Sequence, residues 1–163
     1  MSRCYTWLTV NWVTEFMGDP RTDLQNKIRG AIPISEAMQF SIEELGPLSI
    51  MVRAPLAPNV NIHGTGFAGS IYSIAVLAGW GLSMHIMDQL DMNGELVVSR
   101  AEIKYRAPVT GSIECRAVVG DAESREFQDN FNDTGKGRLS LTIEVGDAPQ
   151  AVLSGTFYAV AKS

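Results

Sequence analysis

From Gly64 to Met87 the chain carries no Asp, Glu, Lys or Arg, and the first charge beyond that run is Asp88. An apolar stretch this long predicts a helix over roughly Gly66 to Leu90, apolar on all sides and hence enclosed by other elements. After Asn93-Gly94, a turn pair, the period changes to two. Glu95 to Arg106 sets Ala101, Ile103 and Tyr105 against Arg100, Glu102, Lys104 and Arg106, and Pro108 ends the strand. Ile113, Cys115, Ala117 and Val119 share one face of the next. Leu139, Leu141, Ile143 and Val145 alternate with Arg138, Ser140, Thr142 and Glu144, and a last strand covers Ala151 to Ala161. Such alternation means one covered face and one wet face.

Upstream, Asp23 to Gly30 has the pattern of a short amphipathic helix ending at a glycine. Pro33 opens a further helical turn through Met38. Leu48 to Ala54 alternates as a first strand and is stopped by Pro55 and Pro58. Asp121 to Gly137 is polar and acidic, with two glycines, and is expected to be a long mobile connection. The order is helix, strand, long buried helix, then four strands by meander. One antiparallel sheet curled around one helix satisfies it, an α+β architecture in a single domain over residues 21–163.

Composition narrows the classes. A chain of 163 residues, 45% hydrophobic, fits one domain with a full core. A net charge of −5 argues against nucleic acid, so an acidic partner must be met by a local basic patch. Cys4 and Cys115 lie far apart, without CxxC or zinc-like His spacing, which predicts a cytoplasmic protein with inert thiols and no metal. Residues 1–20 read as an extension: Trp7, Trp12 and Phe16 are apolar, but Asn11 and Glu15 interrupt them and no cleavage pattern marks a secretory signal. Met17 is an alternative start. The run from Gly64 to Met87 is long enough to cross a bilayer, yet its glycines, its serines and His85, with alternating strands beyond, favour a helix wrapped by a sheet and no membrane.

The candidate chemistry lies where that helix begins, in Asn59-Val60-Asn61-Ile62-His63-Gly64-Thr65-Gly66-Phe67-Ala68-Gly69-Ser70. Asn, Gly and Thr supply turn and cap chemistry. The first N–H groups of a helix have no intrahelical acceptor, and the local dipole favours negative charge. Such an end suits an oxygen that becomes anionic during a reaction, for example a thioester carbonyl passing to an enolate or a tetrahedral adduct.

Three stretches narrow the field: Ala54-Pro55-Leu56-Ala57-Pro58-Asn59-Val60-Asn61, Thr65-Gly66-Phe67-Ala68-Gly69-Ser70-Ile71-Tyr72 and Ala78-Gly79-Trp80-Gly81, with Tyr105-Arg106-Ala107-Pro108-Val109 beyond them. With the order of elements, they resemble the hotdog fold of acyl-thioester enzymes and, within it, the YiiD-type C-terminal "thioesterase" domain. That family includes malonyl-acyl carrier protein decarboxylases, which make acetyl-carrier protein for fatty-acid synthesis. The resemblance runs from about Asp23 to the C-terminus. It implies a stand-alone enzyme without metal or organic cofactor, since the phosphopantetheine thioester arrives with the substrate. It also implies a homodimer whose sites form between chains, and acyl carrier protein or coenzyme A as the thioester's carrier.

Two reactions then compete. Hydrolysis needs a base or nucleophile, and the helix offers Ser70, Tyr72, Ser73, Trp80 and Ser83 but no acid before Asp88. An acid could come from a partner chain, Glu95 or Glu102. Decarboxylation needs donors around the enolate oxygen and a pocket that orients the leaving carboxylate. Gly66, Phe67, Ala68, Gly69 and Ser70 are the candidate substrate-binding residues, with backbone donors in that segment. Asn61, matched by the family pattern, is a further donor or holds the carboxylate. Thr65 caps the helix or binds substrate, and His63 gives the enolate carbon its proton or lies at a pocket rim. Phe67 and Trp80 read more simply as core. Arg100, Lys104 and Arg106 form a solvated strand face or meet a carrier protein's acidic surface or phosphate. Decarboxylation is the expected reaction, with thioester hydrolysis and a non-catalytic binding module as rivals.

Overall fold

The computed structural model describes residues 18–162. The sequence-predicted extension therefore lies outside the described residues up to residue 17. Helix α1 spans Pro20–Ala31: Asp19 caps it by accepting from Arg21 N at 3.2 Å, and Pro20 occupies the first turn, where its missing N–H costs nothing. The helix thus starts a turn before the predicted Asp23, and Leu24 and Ile28 bury its apolar stripe. A single turn follows, α2 (Ile34–Ala37), and then a hairpin of β1 (Ser41–Gly46) and β2 (Ser49–Ala54). Strand β1 was not expected, because Ser-Ile-Glu-Glu-Leu-Gly does not alternate cleanly. A register shift between Ile42 and Glu44 explains the broken pattern of this edge strand.

The central helix, α3, spans Ala68–Gln89 and buries most of its circumference, Ile71, Ile74, Leu77, Leu82 and Ile86 among the buried residues, while the row Ser73, Val76, Trp80 and Met84 is half covered. Its length and composition would suffice for a membrane span; here a sheet wraps it. Strands β3 (Gly94–Tyr105), β4 (Ile113–Val118), β5 (Lys136–Val145) and β6 (Ala151–Ala161) follow. The antiparallel sheet has six strands in the order β1-β2-β4-β5-β6-β3. The predicted inward residues of β4 and β5 are all buried, as the alternation required.

Two expectations need correcting. The last four strands are not a simple meander. Strand β3 pairs with β6 at one edge, and the chain then crosses to β4, so only β4, β5 and β6 run consecutively. The crossing segment passes the start of α3, where Val109 is buried and its carbonyl accepts from Gly66 N at 2.7 Å. Nor is Asp121 to Gly137 a mobile connection, because α4 occupies Asp121–Thr134. Ser124, Phe127 and Phe131 recur at helical spacing and are buried, Asp121 and Glu123 complement the dipole in the first turn, and Gly135 ends the helix at φ 71°. A two-phenylalanine stripe in an otherwise polar segment is easily read as loop. It is enough here because Phe127 seats on Gly137, where a side chain would collide with its ring.

Candidate active site at the start of the central helix

Two segments meet at the beginning of α3. The first is a small hairpin closed by an isolated bridge between Val60 and Gly66. Asn61 N donates to Thr65 O at 2.8 Å, Gly64 N donates to Asn61 O at 3.1 Å, and Gly64 takes φ 75°, a left-handed turn position that glycine occupies without strain. The Asn61 side chain fills the hairpin. Its Nδ2 donates to Thr65 Oγ1 (3.0 Å) and Gly66 O (3.2 Å), while Oδ1 accepts from His63 N (2.8 Å) and Thr65 N (3.2 Å). It is a half-buried Asx turn whose amide stands beside the helix entrance.

Asn59 does a different job. It is 1% exposed, its side-chain Nδ2 donates to Met38 O and Pro55 O, and its backbone carbonyl accepts from Phe67 N at 2.7 Å. Buried, it ties the α2 corner to the helix start. From sequence it was an ordinary turn residue; only Pro55 and Pro58 just before it hinted at a fixed conformation.

The helix is capped by Phe67 in an extended conformation, without a side-chain bond to the first turn. Thr65 is therefore not the cap, and its hydroxyl belongs to the Asn61 hairpin. The first helical bond runs from Ile71 N to Phe67 O at 3.0 Å, and no acceptor among the described residues takes the amides of Ala68, Gly69 and Ser70. Ala68 and Phe67 are exposed and Gly69 and Ser70 half-buried, so core side chains do not plug this end. Phe67, expected in the core, is 54% exposed because its ring folds back on Gly69 rather than inward.

Strand β3 delivers the other wall. Tyr105 Oη donates to Ala68 O at 2.7 Å, pinning the strand's end to the first helical turn. Partial burial, and then the neighbouring Tyr72, push the Tyr105 phenol above its ordinary range, so it stays a neutral donor at pH 7. Arg106 follows immediately and is exposed, as is Lys104, and among the described residues neither forms an ion pair. Arg100 lies further along the strand, 3.6 Å from Glu102. His63 is exposed on the hairpin tip beside Ile62 and makes no side-chain hydrogen bond among the described residues. The site residues foreseen from sequence thus surround one helix end, except that Arg106 approaches from the strand side.

Acids stand elsewhere. Asp88 is about 30 Å along the helix from Ala68. Glu95 and Glu102 share the register of Val160 and Ser154 and are exposed, away from the helix. Among the described residues no group of three or more His, Cys, Asp or Glu could hold a metal ion. Cys115 is fully buried, and burial pushes its thiol far above the ordinary range, which leaves it inert. A cavity of about 590 Å³ lies at the opposite end of α3 between Pro20, Leu24, His85 and Asp88. It is far from the free amides and therefore not the candidate site.

A sheet wrapped around a helix whose open N-terminus carries polar loops is the thioesterase-like hotdog fold. The sequence matches the family described as "Putative thioesterase (yiiD_Cterm)" over residues 21–161, and the chain belongs to that family. It is similar to the structure of a "putative thioesterase" from Shewanella oneidensis, with 32% identity over 88% of this chain and 99% of that one and a TM-score of 0.78. A protein of unknown function from Chlorobaculum tepidum superposes with a TM-score of 0.84 at 29% identity, over 87% of this chain and 94% of that one. A "probable thioesterase" from Pseudomonas aeruginosa, 21% identical over 90% of this chain and 99% of that one, shares the fold with a TM-score of 0.77.

Proposed function

We propose that the protein is a cytoplasmic enzyme that decarboxylates a malonyl thioester, malonyl-acyl carrier protein, to the acetyl thioester. The observation that carries this reading is the set of amides of Ala68, Gly69 and Ser70, which no acceptor takes among the described residues, on a helix that holds no acid before Asp88. Loss of carbon dioxide leaves an electron pair that passes into the thioester carbonyl, and the developing enolate oxygen is what those amides and the helix dipole stabilise. The Asn61 amide adds a donor by exchanging its contact with Thr65 Oγ1 for the substrate. A proton then closes the reaction at the α-carbon, with His63 the proposed donor at the rim. No metal or organic cofactor is required in this scheme.

The site is completed by a second copy of the chain. Strand β3 ends the sheet with Val97 and Val98 exposed, and on α3 the row Ser73, Val76, Trp80 and Met84 is only half covered. An open strand edge beside a partly covered apolar row suits pairing with an identical edge.

Hydrolysis of an acyl-carrier or coenzyme A thioester is the second reading. The name of the family favours it, and it requires the partner chain to supply a base. Incubation with malonyl-carrier protein separates the two. Carbon dioxide and acetyl-carrier support decarboxylation, whereas free malonate and free thiol support hydrolysis. Binding without turnover of either kind would leave a binding module.

Lys104 and Arg106 flank Tyr105 where it reaches the helix start, which suits the acidic surface or phosphate of a carrier. Arg106→Glu or Lys104→Glu is expected to raise the KM for carrier-bound substrate several-fold at low salt, the gap closing as ionic strength rises. An unchanged KM at low salt would return both residues to a solvated strand face.

A further inference from the structure

We propose that Phe67 sets the size of the acyl group this site admits, an inference that rests on the oxyanion site proposed above. The ring has a fixed seat. Phe67 N is held by Asn59 O at 2.7 Å and Phe67 O receives Ile71 N at 3.0 Å, so the backbone at the helix cap is anchored on both sides. From there the side chain folds forward over the first turn. A Cβ added at Gly69 would stand 2.5 Å from Phe67 Cε1 and 2.9 Å from Cζ, closer than real contacts allow. The hydrogen-only side chain of Gly69 is thus the cradle in which the ring lies.

The ring is 54% exposed. Its position is therefore not dictated by burial in the core, and the ring lies against Gly69, whose amide is one of the three free donors. An acyl α-carbon is only two bonds from the carbonyl oxygen those amides hold. Any branch on that carbon, or any longer chain leaving it on this side, must pass the ring. A malonyl group carries its carboxylate as the single substituent on that carbon and can turn it away from the ring, whereas a second substituent on the same carbon must meet the ring. A rigid aromatic wall on a hydrogen-bonded cap discriminates by steric exclusion, and one methylene in such a place changes selectivity about tenfold to two-hundredfold.

Turnover of malonyl- and ethylmalonyl-pantetheine is measured for the wild type, Phe67→Ala, Phe67→Leu, Gly69→Ala and the double variant Phe67→Ala/Gly69→Ala. Affinities for the unreactive thioether analogues of the butyryl and 2-ethylbutyryl thioesters are measured alongside, with oligomeric state and melting temperature. Phe67→Ala is expected to raise the ethylmalonyl-to-malonyl ratio of kcat/KM at least about tenfold, to move the 2-ethylbutyryl-to-butyryl affinity ratio the same way, and to leave the oligomer intact. Phe67→Leu falls between. Gly69→Ala, which displaces the ring, shifts the ratios on its own but has no further effect once Phe67 is alanine. Ratios that do not move in folded variants, or that move only when the oligomer dissociates, overturn the proposal. If the wild type turns over neither thioester, the decarboxylase reading fails, while the analogue affinities still judge Phe67.

Discussion

Asn61→Ala is expected to lower kcat for malonyl-thioester decarboxylation by about a hundredfold to a thousandfold, the usual cost of losing one oxyanion donor, with KM much less affected. The side chain makes two donated and three accepted contacts within the 59–66 hairpin. Removing it both deletes a donor and loosens the turn that leads into α3. Two controls separate these effects. Thr65→Val removes the hydroxyl that Nδ2 meets but leaves the amide in place, so its rate falls less. Asn61→Asp keeps the two acceptances from His63 N and Thr65 N but cannot donate to Gly66 O or to an enolate, so it should be as slow as alanine. An Asn61→Ala enzyme with a near-normal rate would remove this residue from the reaction.

Phe157→Ala should destabilise the fold by about 3–5 kcal/mol, the range for emptying a buried phenylalanine site. Phe157 is fully buried and its ring lies against Gly79 of α3 and Gly155 of β6. A Cβ on Gly79 would lie 2.8 Å from its Cε2 and nearer still to Cζ, and one on Gly155 would lie 2.9 Å from Cε2. Gly79→Ala sets two effects against each other. Alanine gains about 1 kcal/mol of helix propensity over glycine, but overpacking against this ring costs about 1–3 kcal/mol, so the single variant loses stability. In a Phe157→Leu background the collision is relieved and the same change becomes stabilising. Urea unfolding of the four proteins in this cycle measures the reversal. A Gly79→Ala that is stabilising in the wild-type background would show that the helix lies less tightly on the sheet than described.

The two glycines that matter most illustrate how far the chain could be read. Gly79 stands in a run recognised as a buried helix, but nothing in that run says which residue meets a ring from β6. Gly69 stood among the candidate binding residues; in the fold it faces a ring from its own cap. The same limit applies to Asn59 and Asn61. Both sit before the helix in a turn-rich segment, yet one is buried as a clamp between distant carbonyls and the other folds a hairpin beside the free amides. Phe67 looked like core because phenylalanine usually is, and the extended cap conformation turns it outward instead.

Periodicity alone determined that a long apolar helix exists, that alternating strands follow it, and that polar loops and unpaired amides mark its beginning. Those are properties of neighbouring residues, set by hydrogen-bonding geometry and by which faces reject water. Tertiary structure decided that β3 pairs with β6 rather than β4, that α4 condenses from a polar segment onto Gly137, and that Tyr105 closes the wall beside Ala68. Each of these joins residues far apart in the chain, and the free energy that selects them arises only when packing brings the two partners together.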